Sequence, residues 1–178
     1  HNPFHVLFEH PQRIGYATVD IFVPDENVEN LDSFAISPED GVPIQPLTKE
    51  HGDDPVGHVF LKISFSYVEL SNRDEDSSKV TSEKSDRVKA CTISIYHADL
   101  KAVVKAIDGR YKFGDELFEF HGHFSGSSID GNEPDFDYVE QHIFYPGKIT
   151  SQKLNINFYC VPKRNFHGAF PISTENQK

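Results

Sequence analysis

The sequence predicts a mainly β domain: an antiparallel β-sandwich, or a jelly-roll-like relative of one, with seven to eight strands. Three observations carry that expectation. Apolar residues recur mostly at every second position, as on strands with one buried face. Clusters of Pro, Gly, Asp and Ser punctuate the apolar segments. A single stretch has helical spacing, too little for a parallel sheet, in which successive strands need crossover connections.

Taken in order, "FHVLFEH" (4–10) reads as a short strand stopped by Pro11. In "GYATVDIFVP" (15–24), Ala17, Val19, Ile21 and Val23 form the apolar face and Pro24 ends the element. Residues 25–57 read as a loop-rich insertion, with Pro38, Pro43, Pro46 and Pro55 and the turn signals "EDG" and "HGDDP". "HVFLKISFSYVEL" (58–70) is a long strand with Val59, Leu61, Ile63, Phe65 and Tyr67 on one face. Residues 71–86 carry a single aliphatic residue, Val80, and read as a flexible polar hairpin tip. "RVKACTISIY" (87–96) aligns Cys91, Ile93 and Ile95.

At 98–108 the period changes. Leu100, Val103, Val104 and Ile107 fall at i, i+3, i+4, i+7, and Gly109 stands at a capping position, so one short helix is expected there. The competing reading is a strand through "KAVVKAI". Strand character returns at 110–124, 138–146 and 149–162, with a loop at 125–137. The whole of 1–178 reads as one domain, long enough to bury a core of its own.

The formal charge of −11 disfavours nucleic acid and anionic membrane surfaces as partners, and leaves a basic partner or a cation open. No apolar run approaches the roughly 18 residues of a membrane span. A first residue of His1 and the absence of Met suggest a processed mature form or an excised domain. An extracellular or secreted setting is favoured.

Cys91 and Cys160 each lie on the apolar side of a strand by alternation, which allows a disulfide across the core or two inert thiols. The segment around the second, "NFYCVPKRNFHGAF", resembles the copper-ligand loop of cupredoxins, with His167 as the following histidine. The resemblance implies copper at Cys160; the axial methionine of that family is missing.

Ten histidines are an excess for this length. In "FEFHGHF" (118–124), Phe118, Phe120 and Phe124 alternate with Glu119, His121 and His123, so the rings are expected inside and the imidazoles outside. Same-face neighbours on a strand are about 7 Å apart, near enough to share a copper or zinc ion, with His142 on the next strand as a third ligand. The His-x-His resembles that of cupins, without their downstream glutamate. His1 resembles the N-terminal copper ligand of secreted copper monooxygenases that attack polysaccharides; the second ligand would be His97, His121 or His123. Asp130, Asn132, Asp135 and Asp137 offer oxygen ligands for calcium, with Asp53 and Asp54 as contributors from "HGDDP".

No nucleophile elbow, phosphate-cradling loop or ordered triad is present in the sequence. The leading expectation is therefore a non-catalytic binding module that recognises a protein partner through its loops at 25–57 and 125–137. The alternative is a histidine-based copper or zinc metalloprotein, such as a secreted copper oxidase using His1.

Overall fold

The computed structural model describes residues 11–22, 28–48, 54–69, 87–114, 119–128, 131–144 and 151–162. Within them eight antiparallel strands close into a barrel. These are β1 (Gln12–Phe22), β2 (Val42–Pro46), β3 (Gly57–Glu69), β4 (Arg87–Leu100), β5 (Val104–Gly114), β6 (Glu119–Ser127), β7 (Asp135–Phe144) and β8 (Ser151–Pro162). One 3-10 turn, Asp32–Phe34, precedes β2. The order around the wall is β1-β2-β3-β4-β7-β6-β5-β8. The first four strands form a meander. The next three are inserted in reverse, so that β8 returns beside β5 in Greek-key fashion.

The antiparallel β class is as expected, but the sandwich or jelly roll is corrected to a closed barrel. The reason is β8, which pairs with β1 from Gln12↔Cys160 to Phe22↔Ser151 and with β5 on its other edge. Alternation could not distinguish the two architectures. A strand buried on one face reads the same whether that face meets a second sheet or looks across a barrel.

The helix expected near 98–108 is replaced by the end of β4, a short link and the start of β5. The register of β4 slips between Ile95 and His97 against both neighbours, so the buried set Cys91, Ile93, Ile95 continues as Ala98, Leu100. A second slip lies between Val104 and Ala106 against β8. These phase breaks place Leu100, Val104 and Ile107 inside at intervals that imitate a helical period, while Val103 is exposed. Two irregularities in a period-two pattern thus counterfeit a period near 3.6.

The segment read as loop-rich contributes β2. Its alternation, Val42 and Ile44 inside, is too short and too proline-rich to stand out in the sequence. The strand expected at 4–10 and the polar tip at 71–86 lie outside the described residues.

One core fills the barrel. Ile14, Ile21, Ile44, Leu61, Ile63, Ile93, Ile95, Leu154, Ile156 and Phe158 are fully buried within it. An eight-stranded barrel is about as wide as its own side chains can fill. Aliphatic residues, with Phe65 and Phe158, supply the filling between β1, β3, β4 and β8. Aromatic residues supply it between β5, β6 and β7, where Tyr111, Phe113, Phe124, Phe136 and Phe144 are buried.

Candidate functional site

The wall is least regular between β6 and β7. β6 is laddered to β5 without interruption from Gly114↔Glu119 to Ala106↔Ser127. β7 is laddered to β4 from Lys89↔Phe144 to His97↔Asp135. Between β6 and β7 themselves the ladder consists of one pair, Ser127↔Asp135. Just past that pair, Asp137 takes the left-handed backbone conformation at φ 48°. That region is uncommon for residues other than glycine, and aspartate is among those that tolerate it. The register of β7 on β4 skips at the same place, between Tyr138 and Asp135.

Beyond the single pair, side chains bridge the two strands. The Phe120 ring lies 5.2 Å from the His142 ring and 5.2 Å from that of Phe144. Phe124 lies 4.8 Å from Phe136 and 5.7 Å from Tyr138. Room for these rings comes from glycines in the β5–β6 ladder. In the pair Gly109↔Phe124 the ring covers Gly109, and in the pair Tyr111↔Gly122 the ring covers Gly122. A Cβ on either glycine would stand 2.0 Å from the nearest ring atom, so no other residue fits without displacing the aromatic. Each strand thus gives a ring and receives one.

The Tyr111 ring carries polar chemistry into this aromatic zone. Its hydroxyl lies 2.7 Å from His142 Nε2 and 2.8 Å from the Tyr138 hydroxyl. The Tyr138 hydroxyl donates to Glu140 Oε2. Counting protons fixes the remaining directions. Tyr138 spends its hydrogen on the carboxylate and must accept from Tyr111. Tyr111 spends its hydrogen on Tyr138 and must accept from His142. His142 therefore carries a hydrogen on Nε2, and donors run one way from the core to the surface carboxylate.

The electrostatics agree with that order. His142 is 7 % exposed and sits among Tyr111, Phe113 and Phe120. Burial pushes its pKa below the ordinary value, against a smaller opposing pull from Glu140. Burial and the bond to Tyr138 push Tyr111 upward. Burial and then the bond to Glu140 raise Tyr138 to about 12. All three groups are held neutral.

A surface cleft of about 610 Å³ opens over this chain, lined by Arg110, Tyr111, His121, Gly122, His123 and Glu140. Glu140 is the unusual member. It is in register with buried Ile93 and in phase with Phe136, His142 and Phe144, so its strand position faces the interior, yet it is exposed. The unpaired stretch of β6 leaves the wall open to solvent at this point.

The sequence-derived candidates fall apart into separate places. His121 and His123 do point outward, with side chains 64 % and 60 % exposed. Each is engaged by its own carboxylate: His121 Nε2 is 3.2 Å from Glu119 Oε2, and His123 Nε2 is 3.1 Å from Asp108 Oδ1. His142 is on the opposite side of the wall, inside, and so does not join them. Alternation separates the third ligand from the first two. His97 stacks on Phe60 at 4.5 Å. Among the described residues no group of three or more His, Cys, Asp or Glu is placed to hold a metal ion. His1, Asp53, Asp130 and His167 lie outside the described residues.

Of the acidic loop, Asn132 is tied to Leu100, its carbonyl accepting from the Leu100 amide at 2.8 Å and its side-chain amide donating to the Leu100 carbonyl. Asp135 sits in the β6–β7 pair and Asp137 at the kink, so these residues turn the chain into β7. The disulfide reading is corrected as well. Cys91 and Cys160 are separate buried thiols. They sit on β4 and β8, four places apart in a ring of eight, and a disulfide needs Cα atoms about 4.4–6.8 Å apart. Burial raises each thiol to about 12, which disfavours a thiolate nucleophile near neutral pH.

Tyr111, Tyr138 and Glu140 were not singled out from the sequence. The signal available was Glu140 and His142 standing in phase with Phe136, Tyr138 and Phe144, polar residues on an aromatic face. No helix among the described residues is long and apolar enough to cross a membrane. The chain matches no protein-family model and no curated protein sequence.

Proposed function

We propose that this chain is a non-catalytic binding module for a protein partner, and that the partner meets the barrel at the β6–β7 seam. The single-pair ladder between β6 and β7 carries this reading. Strand edges without backbone partners are adhesive, and stable proteins normally cover them. Here the edges border an open cleft instead. Of the loops considered for recognition, the stretch at 28–36 is laid down against β3 and Asn132 is bound to Leu100.

The test is photo-crosslinking from two exposed positions of the full chain. A crosslinker at Val139, 67 % exposed on β7 beside the seam, is expected to give one saturable adduct that excess unmodified protein abolishes. The same crosslinker at Tyr16, exposed on β1, is expected to give none. The reverse pattern would move the interaction surface to the other side of the barrel and overturn the reading.

A further inference from the structure

Resting on that reading, we infer that the occupant of the seam is an extended, basic peptide segment of the partner, added as a strand along the unpaired edges. Main-chain pairing is the first reason. Alternate residues of a strand direct their N–H and C=O groups to opposite edges, and β6 uses one edge for β5. Over Glu119–Gly126 the other edge faces β7 with no ladder partner among the described residues. Beneath it the rings of Phe120, Phe124, Tyr138 and His142 close the floor. The backbone layer above that floor is where a strand can add.

Charge gives the second reason. Residues 131–144 contain Glu133, Asp135, Asp137 and Glu140 and no Lys or Arg, in a chain of net charge −11. On the β5–β6 side Arg110 lies 4.0 Å from Asp108 and Lys112 3.8 Å from Glu119, so both cations already face a carboxylate. An acidic occupant, including a second copy of this acidic chain, is therefore disfavoured. Glu140 supplies specificity. It accepts from Tyr138 and has further acceptor capacity. A Lys or Arg side chain of the added strand would set its ammonium or guanidinium on that carboxylate.

The probe is a display library of random peptides nine residues long, the length of β6, selected on the full chain. Lys or Arg enriched at alternate positions is the expected result. Enriched peptides are then mapped by amide chemical shifts, which should move on β6 and β7. Methylating peptide backbone nitrogens at alternate positions removes donors along one edge and should abolish binding in one of the two phases. Glu140→Gln should weaken binding roughly tenfold while leaving the fold unchanged. Acidic consensus, no enrichment, or indifference to N-methylation in both phases would overturn the strand-addition inference. Peptides that map to the seam but ignore N-methylation would overturn it and leave the binding surface standing. Peptides that map to β1–β3 would overturn both.

Discussion

Between β1 and β3 the wall is filled by backbone; between β6 and β7 it is filled by side chains. At the first place β2 pairs only with Gly15 and Tyr16 on one side and with Gly57–Val59 on the other. The stretch at 28–36 covers more of β3. Ile36 and Ile63 exchange both backbone hydrogen bonds at 2.8 Å, Tyr67 donates to the Val28 carbonyl at 2.8 Å, Leu31 is buried, and Phe34 stacks on Phe22 at 5.9 Å. At the second place aromatic rings meet across the gap and the strand edges above them stay unpaired. Apolar burial and backbone satisfaction are separate requirements. At the first closure the stretch at 28–36 adds backbone bonds to β3, whereas the second has the rings and the single pair Ser127↔Asp135, and the binding proposal rests on that difference.

The largest expected effect breaks the ring closure from below. Gly122→Ala places a methyl 2.0 Å from the Tyr111 ring and 2.3 Å from its hydroxyl oxygen. Tyr111 is buried, so it moves only by giving up its bonds to His142 and Tyr138. Overpacking plus one buried group left unpaired is expected to cost about 4 kcal/mol. Chemical denaturation of the variant against the parent protein measures it. A loss under about 1 kcal/mol would mean that the ring is not held against the glycine.

Next comes the backbone plug. Leu31→Ala is expected to cost about 3 kcal/mol, the range for an aliphatic core truncation. Amide exchange distinguishes the two sites. This variant should speed exchange at Ile36 and Ile63, whose bonds the plug protects, and leave β6 as it was. Equal acceleration on both sides would show that the two closures are one cooperative unit.

How much of this was legible in the residues follows the same division. The aliphatic strands were readable because one inward residue alternates with one outward residue, as in Val59, Leu61, Ile63 and Phe65. The outward direction of His121 and His123 was readable for the same reason. The barrel was not, because closure depends on β8 meeting β1, a pairing of chain ends that periodicity does not encode. The false helix came from register slips, which are local backbone events without a residue signature here. The seam was hidden because it is an absence of pairing. Its one trace was Glu140 on an aromatic face.

Acid tests the buried end of the polar chain. The folded-state pKa of His142 is depressed below 6.5 by burial, so the unfolded chain binds a proton that the folded chain refuses. Stability is then fully present above about 6.5 and falls as pH drops from there through the depressed value. The groups facing the imidazole are Tyr111 on β5, Glu140 on its own strand and, in register on β4, Cys91. His142→Phe keeps the ring packing and removes the titration. The variant should lose less stability than the parent protein between pH 7 and pH 5. Parallel pH dependences would mean that the imidazole takes its proton in the folded state without penalty.

The smallest effect compares one hydroxyl from each closure. Tyr67→Phe removes the donor to the Val28 carbonyl, and Tyr138→Phe removes the link between Tyr111 and Glu140. Both rings are half-buried and keep their packing, so each change isolates a hydrogen bond worth about 1 kcal/mol. Their consequences should differ. At the plug, the loss loosens a backbone segment, and exchange at Ile36 should rise. At the seam, water entering through the cleft can bond to the freed Tyr111 hydroxyl and Glu140, so the cost should fall to about half or less of that at Tyr67. A larger cost at Tyr138 than at Tyr67 would show that water does not reach the chain, and that the seam is sealed in the unbound protein.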